Sequence, residues 1–137
     1  MDFMPAFRVC ASGLAAQRAK MDVIISNLAN ANTTRTPEGG PYRRKIVVFS
    51  SEPAGENFDD ILRIVKVEDV VEDKESVKMV FDPAHPDANS KGIVAMPGIN
   101  TVTEMADMIT ANRAYEACVA AFDATKNMAL KALELGR

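Results

Sequence analysis

The sequence predicts an α+β fold in which long N- and C-terminal α-helices form a coiled-coil-like helical domain, with a small β-rich domain inserted between them. Three observations carry this expectation. All seven prolines lie outside residues 6–36 and 98–137, leaving two segments in which a helix can run unbroken. Both segments carry apolar residues alternately three and four apart, the repeat of a single helix face. Between them lie short runs rich in Val, Ile and Phe, separated by clusters of Pro, Gly, Asn and Asp, the punctuation of strands and turns. The expected divisions are 1–36 for the first helix and its following motif, 37–99 for the middle domain, and 100–137 for the second helix.

In the first helix the stripe runs Phe7, Cys10, Leu14, Gln17, Met21, Ile24, Leu28 and Ala31, and only Gln17 is polar. Ile25 widens it. Pro5 suits a first-turn position, where a backbone N–H would have no helical partner. The run Asn30-Ala31-Asn32-Thr33-Thr34 offers side chains that compete for backbone hydrogen bonds and is the expected stop. At 1.5 Å per residue such a helix is about 40 Å long.

The second helix is expected to start at a cap on Thr101 or Thr103, with Glu104 in its first turn favouring the helix dipole. Its seam reads Met105, Met108, Asn112, Tyr115, Val119, Phe122, Lys126, Ala129 and Leu133, with Asn112 and Lys126 as polar interruptions. Alanines from Ala106 to Ala132 point in every direction around this helix, so neighbours can approach on more than one side. The middle segment offers four β-like runs, 42–49, 61–71, 77–81 and 92–96, expected to make one small sheet of three or four strands. In the third run Val77, Met79 and Phe81 alternate with Lys78 and Val80, the pattern of a half-buried strand. Residues 82–89 read as a turn-rich loop.

Composition narrows the function. The chain of 137 residues is 47% hydrophobic and 26% charged, which suits a single folded domain. Aromatics are only 6% and Trp is absent, so helix-on-helix packing is favoured over an aromatic β core. The net charge is −3, and residues 51–90 hold eleven acidic against four basic side chains, a poor match to nucleic acid. No apolar stretch approaches the about 20 residues needed to cross a bilayer. Arg8, Gln17, Arg18 and Lys20 interrupt what would be the apolar region of a cleaved signal peptide, so the N-terminus is expected to be retained.

Catalytic and ligand-binding chemistry finds no foothold. The single histidine, His85, stands between Pro83 and Pro86 near Asp82 and Asp87, and reads as part of a rigid turn. A small hydrolase or metal-binding domain would have to be built on it, yet no second histidine is present. Asp82, Asp87 and Asn89 lack EF-hand spacing, and Gly39-Gly40 lacks the pattern of a phosphate loop. The trio Arg43-Arg44-Lys45 is expected to be a solvated strand start or to pair with acidic neighbours, and the carboxylates Asp59-Asp60 and Glu68-Asp69 are expected to be solvated. Cys10 and Cys118 have no metal-ligand spacing; antiparallel helices would place residue 10 opposite about residue 122, about one turn from Cys118, which leaves a disulfide open, and two buried thiols are the reading preferred. No cofactor, metal or catalytic residue is assigned.

A two-helix hairpin with a small sheet leaves apolar positions such as Val23, Ile25, Ile109, Cys118, Leu130 and Leu135 without cover. Either other chains cover them, or the helices and sheet form an ordinary small α+β domain. A cytoplasmic coiled-coil adaptor that dimerises through the same stripes is the competing functional reading.

The residues 26–45, Ser-Asn-Leu-Ala-Asn-Ala-Asn-Thr-Thr-Arg-Thr-Pro-Glu-Gly-Gly-Pro-Tyr-Arg-Arg-Lys, resemble the N-terminal motif of bacterial flagellar rod and hook proteins, in the extended form of the C-type proximal rod proteins. The later elements of that family follow in order: Pro83 to Ala88 leading to Gly92, then Met96-Pro97, then Glu104 to Ile109 with Ala111, Arg113, Ala114, Tyr115 and Glu116. The resemblance covers nearly the whole chain, departing at Phe81, Gly98-Ile99 and Cys118. It implies a structural subunit of the basal-body proximal rod, which self-assembles into the helical drive shaft that carries torque across the periplasm. Implied partners are further copies, other rod proteins, the adaptor to the inner-membrane ring, the distal rod and the flagellar type III export machinery, without nucleic acid or membrane insertion. The implied working residues are those of subunit interfaces: Leu14, Met21, Ile24, Leu28 and Asn30 on the first helix, and Met105, Met108, Ile109, Tyr115, Val119 and Phe122 on the second. Asn27, Asn30 and Asn32 are expected to hold the helix end, by capping or by subunit contact.

Overall fold

The computed structural model describes residues 3–54 and 62–136. The elements follow in the order α1 (Met4–Ala29), β1 (Lys45–Pro53), β2 (Arg63–Glu72), β3 (Val77–Phe81), β4 (Ile93–Pro97) and α2 (Thr101–Leu135). This is the α+β arrangement expected, with two long terminal helices and a small β region between them. The carboxylates Asp59-Asp60 and the first residue of the second β-like run, Ile61, lie outside the described residues.

Helix α1 has Pro5 in its first turn and stops at Asn30. The Asn30 side chain supplies the stop: its Nδ2 donates to Ser26 O at 2.9 Å and its Oδ1 accepts from Thr33 Oγ1 at 3.2 Å. Helix α2 is capped by Asn100, whose side chain accepts from Val102 N at 3.0 Å and Thr103 N at 3.4 Å. Thr101 and Thr103, the expected caps, lie inside the helix, because an extended Asn100 can reach both N–H groups of the first turn.

The helices pack antiparallel. Phe7 meets Phe122 edge-to-face with ring centroids 5.0 Å apart, and Asn27 meets Glu104 at the other end. Between these points a Cβ built on Gly13 would stand 3.0 Å from Cys118 Sγ, so glycine lets the helices close in there. Cys118 is therefore covered within the chain by Gly13, and both cysteines are half-buried free thiols.

Among the described residues four strands form, but as two separate two-stranded antiparallel sheets, β1 with β2 and β3 with β4, where one sheet was expected. In the first, Lys45 pairs with Glu72 and Pro53 with Arg63, and the register shifts at a bulge between Val48 and Phe49. One face of this ribbon rests on α1, which is thus packed against both α2 and the sheet. In the second, Val77 pairs with Pro97 and Phe81 with Ile93. Cover falls at Val80 with its buried partner Val94 and at Val77 with its buried partner Pro97, whereas Met79 and Phe81 are 70% and 73% exposed. The expected alternation of β3 is not seen in its burial: Val77 and Val80 are half-buried, one on each face, while Lys78, Met79 and Phe81 are exposed.

The loop after α1 folds back, Tyr42 N donating to Thr33 O at 3.0 Å, and turns at Gly39 and Gly40 with φ of 92° and 81°, a left-handed region open to glycine. Thr34 Oγ1 donates to Asp87 Oδ2 at 2.8 Å, tying this loop to the one between β3 and β4. In that second loop His85 Nδ1 accepts from Asp87 N at 3.1 Å, so the imidazole organises the turn.

Candidate functional site

The seam of α2 lies one residue away from its expected course at alternate steps. The side facing α1 is Glu104, Met108, Ala111, Tyr115, Cys118, Phe122, Thr125, Ala129 and Ala132, all buried or half-buried. Met108, Tyr115, Phe122 and Ala129 belong to the expected seam, whereas Met105, Asn112, Val119, Lys126 and Leu133 are exposed. The physical reason is size. Close helix approach favours Ala111, which is 1% exposed, over the larger Asn112. The polar interruptions Asn112 and Lys126 are thereby moved into solvent.

Where the helices meet the sheets, a buried polar clasp replaces apolar packing. Asn27 and Glu104, each 1% exposed, face one another. Asn27 Nδ2 donates to Glu104 Oε2 at 3.1 Å and to Lys45 O at 2.9 Å. Its Oδ1 accepts from Lys45 N at 2.9 Å and from the Tyr42 hydroxyl at 3.2 Å. All four bonding positions of the amide are used. The Tyr42 hydroxyl has one proton, given to Asn27, so the 3.1 Å contact with Ser26 Oγ is donated by serine.

Arg44 completes the clasp. Its Nε and Nη2 both lie 2.6 Å from Glu104 Oε1, and Nη2 is 3.8 Å from Asp107 Oδ2. Its backbone N donates to Ser76 Oγ at 3.0 Å, and its carbonyl accepts from Asp73 N at 2.8 Å. The basic trio thus includes an ion pair with acidic side chains, as one of its two expectations held. A buried carboxylate without such partners would be costly, and the clasp satisfies it with a guanidinium and an amide. Glu104, read from sequence as a dipole partner, is the hub joining α1, the entry to β1 and the start of α2.

The expected interface residues divide into two groups. Ile24 is buried within the chain; Leu14, Met21, Leu28, Asn30, Met108, Tyr115 and Phe122 are half-buried. Met105, Ile109 and Val119 face outward. Of the positions expected to lack cover, Val23 and Cys118 are half-buried by the chain itself, whereas Ile25, Ile109, Leu130 and Leu135 stay exposed. Among the described residues no group of three or more His, Cys, Asp or Glu is placed to hold a metal ion, and no helix is long and apolar enough to cross a membrane.

Two family models match the chain: the flagella basal body rod protein model over residues 7–35, and the flagellar basal body rod FlgEFG protein C-terminal model over residues 90–135. These segments cover most of the two helices, including Asn27 and Glu104. Flagellar basal-body rod protein FlgC of Bacillus subtilis is 44% identical, the match covering 96% of this chain and 97% of the relative. The chain belongs to the FlgC family of flagellar basal-body rod proteins. FlgC of Escherichia coli O157:H7 is 39% identical over the full length of both chains, and FlgC of Aquifex aeolicus is 38% identical over 93% of this chain and 92% of the relative. The competing adaptor reading finds no support among these FlgC relatives.

Proposed function

We propose that this FlgC-family chain is a structural subunit of the flagellar basal-body rod, placed in the proximal segment of the drive shaft. The observation that supports this reading is the surface left over after folding. The chain exposes 9615 Å², against about 7,000 Å² for a compact globular monomer of 14.9 kDa. Exposed large apolar side chains stand on the helices, among them Ile25, Met105, Ile109, Val119, Met128, Leu130 and Leu133, and on the strands, among them Ile46, Val71, Met79 and Phe81.

In a rod, long helices standing side by side would bury this surface against neighbouring subunits and resist shear through many close-packed contacts at once. Head-to-tail use of different faces extends such packing into a helical tube. Met105, Ile109 and Val119 would contribute whole side chains to that interface, and Leu14, Met21, Leu28, Asn30, Met108, Tyr115 and Phe122 their remaining exposed parts; Ile24 would support it from within. Neighbours would be further copies and other rod proteins, the adaptor to the inner-membrane ring and the distal rod. The site of action would be the periplasm, reached through the flagellar type III apparatus with the N-terminus uncleaved. Deleting the gene in its own bacterium and imaging basal bodies tests the reading. Non-motile cells with rod-less rings, restored by the unaltered gene, are expected; normal rods in the deletion strain would overturn it.

A further inference from the structure

The α1–α2 seam is packed in layers, and the layer beside the Phe7–Phe122 contact holds both cysteines. Phe7 meets Phe122 edge-to-face with ring centroids 5.0 Å apart. One step inward along each facing stripe leads from Phe7 to Cys10 and from Phe122 to Cys118. We propose that Cys10 and Cys118 form an intrachain disulfide once the folded chain stands in an oxidising compartment, a covalent fastening of the outer half of the helix pair. The compartment rests on the periplasmic rod reading; the pairing rests on geometry alone.

Both side chains point into the seam. Successive residues turn by about 100°, so Phe7, Cys10 and Gly13 step evenly round α1 by about 60° each. Phe7 and Gly13 both touch α2, the second through Cys118 Sγ, which would stand 3.0 Å from a Cβ built on that glycine, so Cys10 between them faces α2 as well. The expected register, with residue 10 opposite about residue 122, is shifted: Phe122 lies opposite Phe7, which brings Cys118 nearer to Cys10. The contacts Phe7–Phe122, Gly13–Cys118 and Asn27–Glu104 together set Cys10 level with Cys118 to within about two residues, or ~3 Å along the axis. Small residues at the seam, Gly13 and Ala111, allow axes about 8 Å apart, and with Cα atoms about 2.3 Å from each axis, facing Cα atoms lie about 3.5–5 Å apart across it. With the axial offset the Cα separation is about 4.5–6 Å, inside the roughly 4.4–6.8 Å that a disulfide spans. In the thiol form Cys118 Sγ rests over Gly13; a rotation about its Cα–Cβ bond carries it towards Cys10.

The oxidant is a protein or small-molecule disulfide, the class that oxidising compartments supply. Cys10, nearer the end of its helix, loses its proton to solvent, and its thiolate attacks one sulfur of that disulfide, forming a mixed disulfide and expelling the other sulfur as thiolate. The Cys118 thiolate, its proton likewise released, then attacks Cys10 Sγ, closing the Cys10–Cys118 bond and expelling the second sulfur. The chain gives up two electrons and two protons, and the donor disulfide is reduced to two thiols. The clasp of Asn27, Arg44 and Glu104 holds the inner ends of the helices, while the outer halves of the thiol form are held against one another by side-chain packing. A bond between residues 10 and 118 encloses both ribbons and the clasp in one covalent loop, which constrains the unfolded chain more than a short loop would.

The test starts from the purified full-length chain, reduced and then incubated dilute with oxidised glutathione. Closure is expected: the mass falls by two hydrogens, maleimide labels neither cysteine, and trypsin releases residues 9–18 linked to residues 114–126 until a reductant is added. The urea midpoint of the oxidised chain should rise by about 1–2 M over the reduced one, with no such rise in Cys10→Ala or Cys118→Ala. Moving the thiol one place off the seam, Cys10→Ala with Ala11→Cys, should slow closure at least about tenfold, because Ala11 is exposed. In the native bacterium, basal bodies isolated under alkylating conditions should hold the linked form, and chain retained in the cytoplasm the dithiol. Glutathione-capped or interchain-linked chain in place of the closed form, or equal closure from position 11, would overturn the pairing. Rods that contain the chain with both thiols alkylated would overturn the bond's presence in the shaft while leaving the rod reading intact. Absence of the chain from basal bodies would overturn the rod reading, and the glutathione arm would still decide the pairing.

Discussion

Replacing Asn27 with leucine, similar in volume but without polar atoms, removes four hydrogen bonds at the clasp. Lys45 N and Lys45 O lose their partner, Glu104 Oε2 loses its amide donor, and the Tyr42 hydroxyl keeps only Ser26. A stranded buried polar group costs roughly 1–3 kcal/mol, more when charged. Half-buried Lys45 belongs at the low end because water reaches it, and Glu104 at the high end, giving about 4 kcal/mol in all. That is a large fraction of the about 5–15 kcal/mol that holds a typical domain folded. At a urea slope of about 2 kcal/mol per M, the unfolding midpoint followed by far-UV circular dichroism should fall by ~2 M. Tyr42→Phe should cost only about 1 kcal/mol, since Asn27 Oδ1 retains Lys45 N. The double variant should cost less than the two added, because the Tyr42–Asn27 bond is lost in both. An Asn27→Leu midpoint within ~0.3 M of the unaltered chain would refute the account of the clasp.

Asn100→Ala should destabilise the chain by about 1 kcal/mol in the same assay, whereas Thr101→Ala and Thr103→Ala should each change it by less than ~0.5 kcal/mol. Gly13→Ala should leave stability nearly unchanged, because a helix gain of about 1 kcal/mol is offset by crowding against Cys118; in a Cys118→Ala chain it should stabilise by about that amount. Lys66 donates to Glu52 Oε1 at 2.9 Å, and this hydrogen bond and counter-ion raise its pKa above the ordinary 10.5. The small stabilisation it brings is present below the ordinary lysine value and lost as pH rises through the raised one. An NMR titration of the Lys66 side chain checks this, and Glu52→Gln should return the midpoint to the ordinary value.

The fold was largely legible because its limits are set locally. Prolines bracket both helices, the Asn-rich run halts α1, and β3 spans the very residues that alternation marked. What sequence missed depends on contacts remote in the chain. Met105 and Val119 outrank Glu104 and Cys118 on apolarity, but tight approach against Gly13 and α1 selects the smaller or hydrogen-bonded side chain. The partners of Glu104, Arg44 and Asn27, are 60 and 77 residues away, so nothing near it announces a buried carboxylate. Alternation in β3 does not show that cover falls on Val77 and Val80; their buried partners on β4, Pro97 and Val94, decide that. The division into two sheets likewise follows from which strands pair, a property no single strand carries.

The clasp sits at the inner ends of both helices, far from either chain end. A pull on the first residues of α1 would unwind about six turns, held by side-chain packing and a few isolated hydrogen bonds, before it reached Asn27. A pull on Leu135 would unwind about eight before reaching Glu104. The molecule is thus fastened at its waist, so that either end can ravel and reseat while the joint to the two ribbons keeps the place to which it returns.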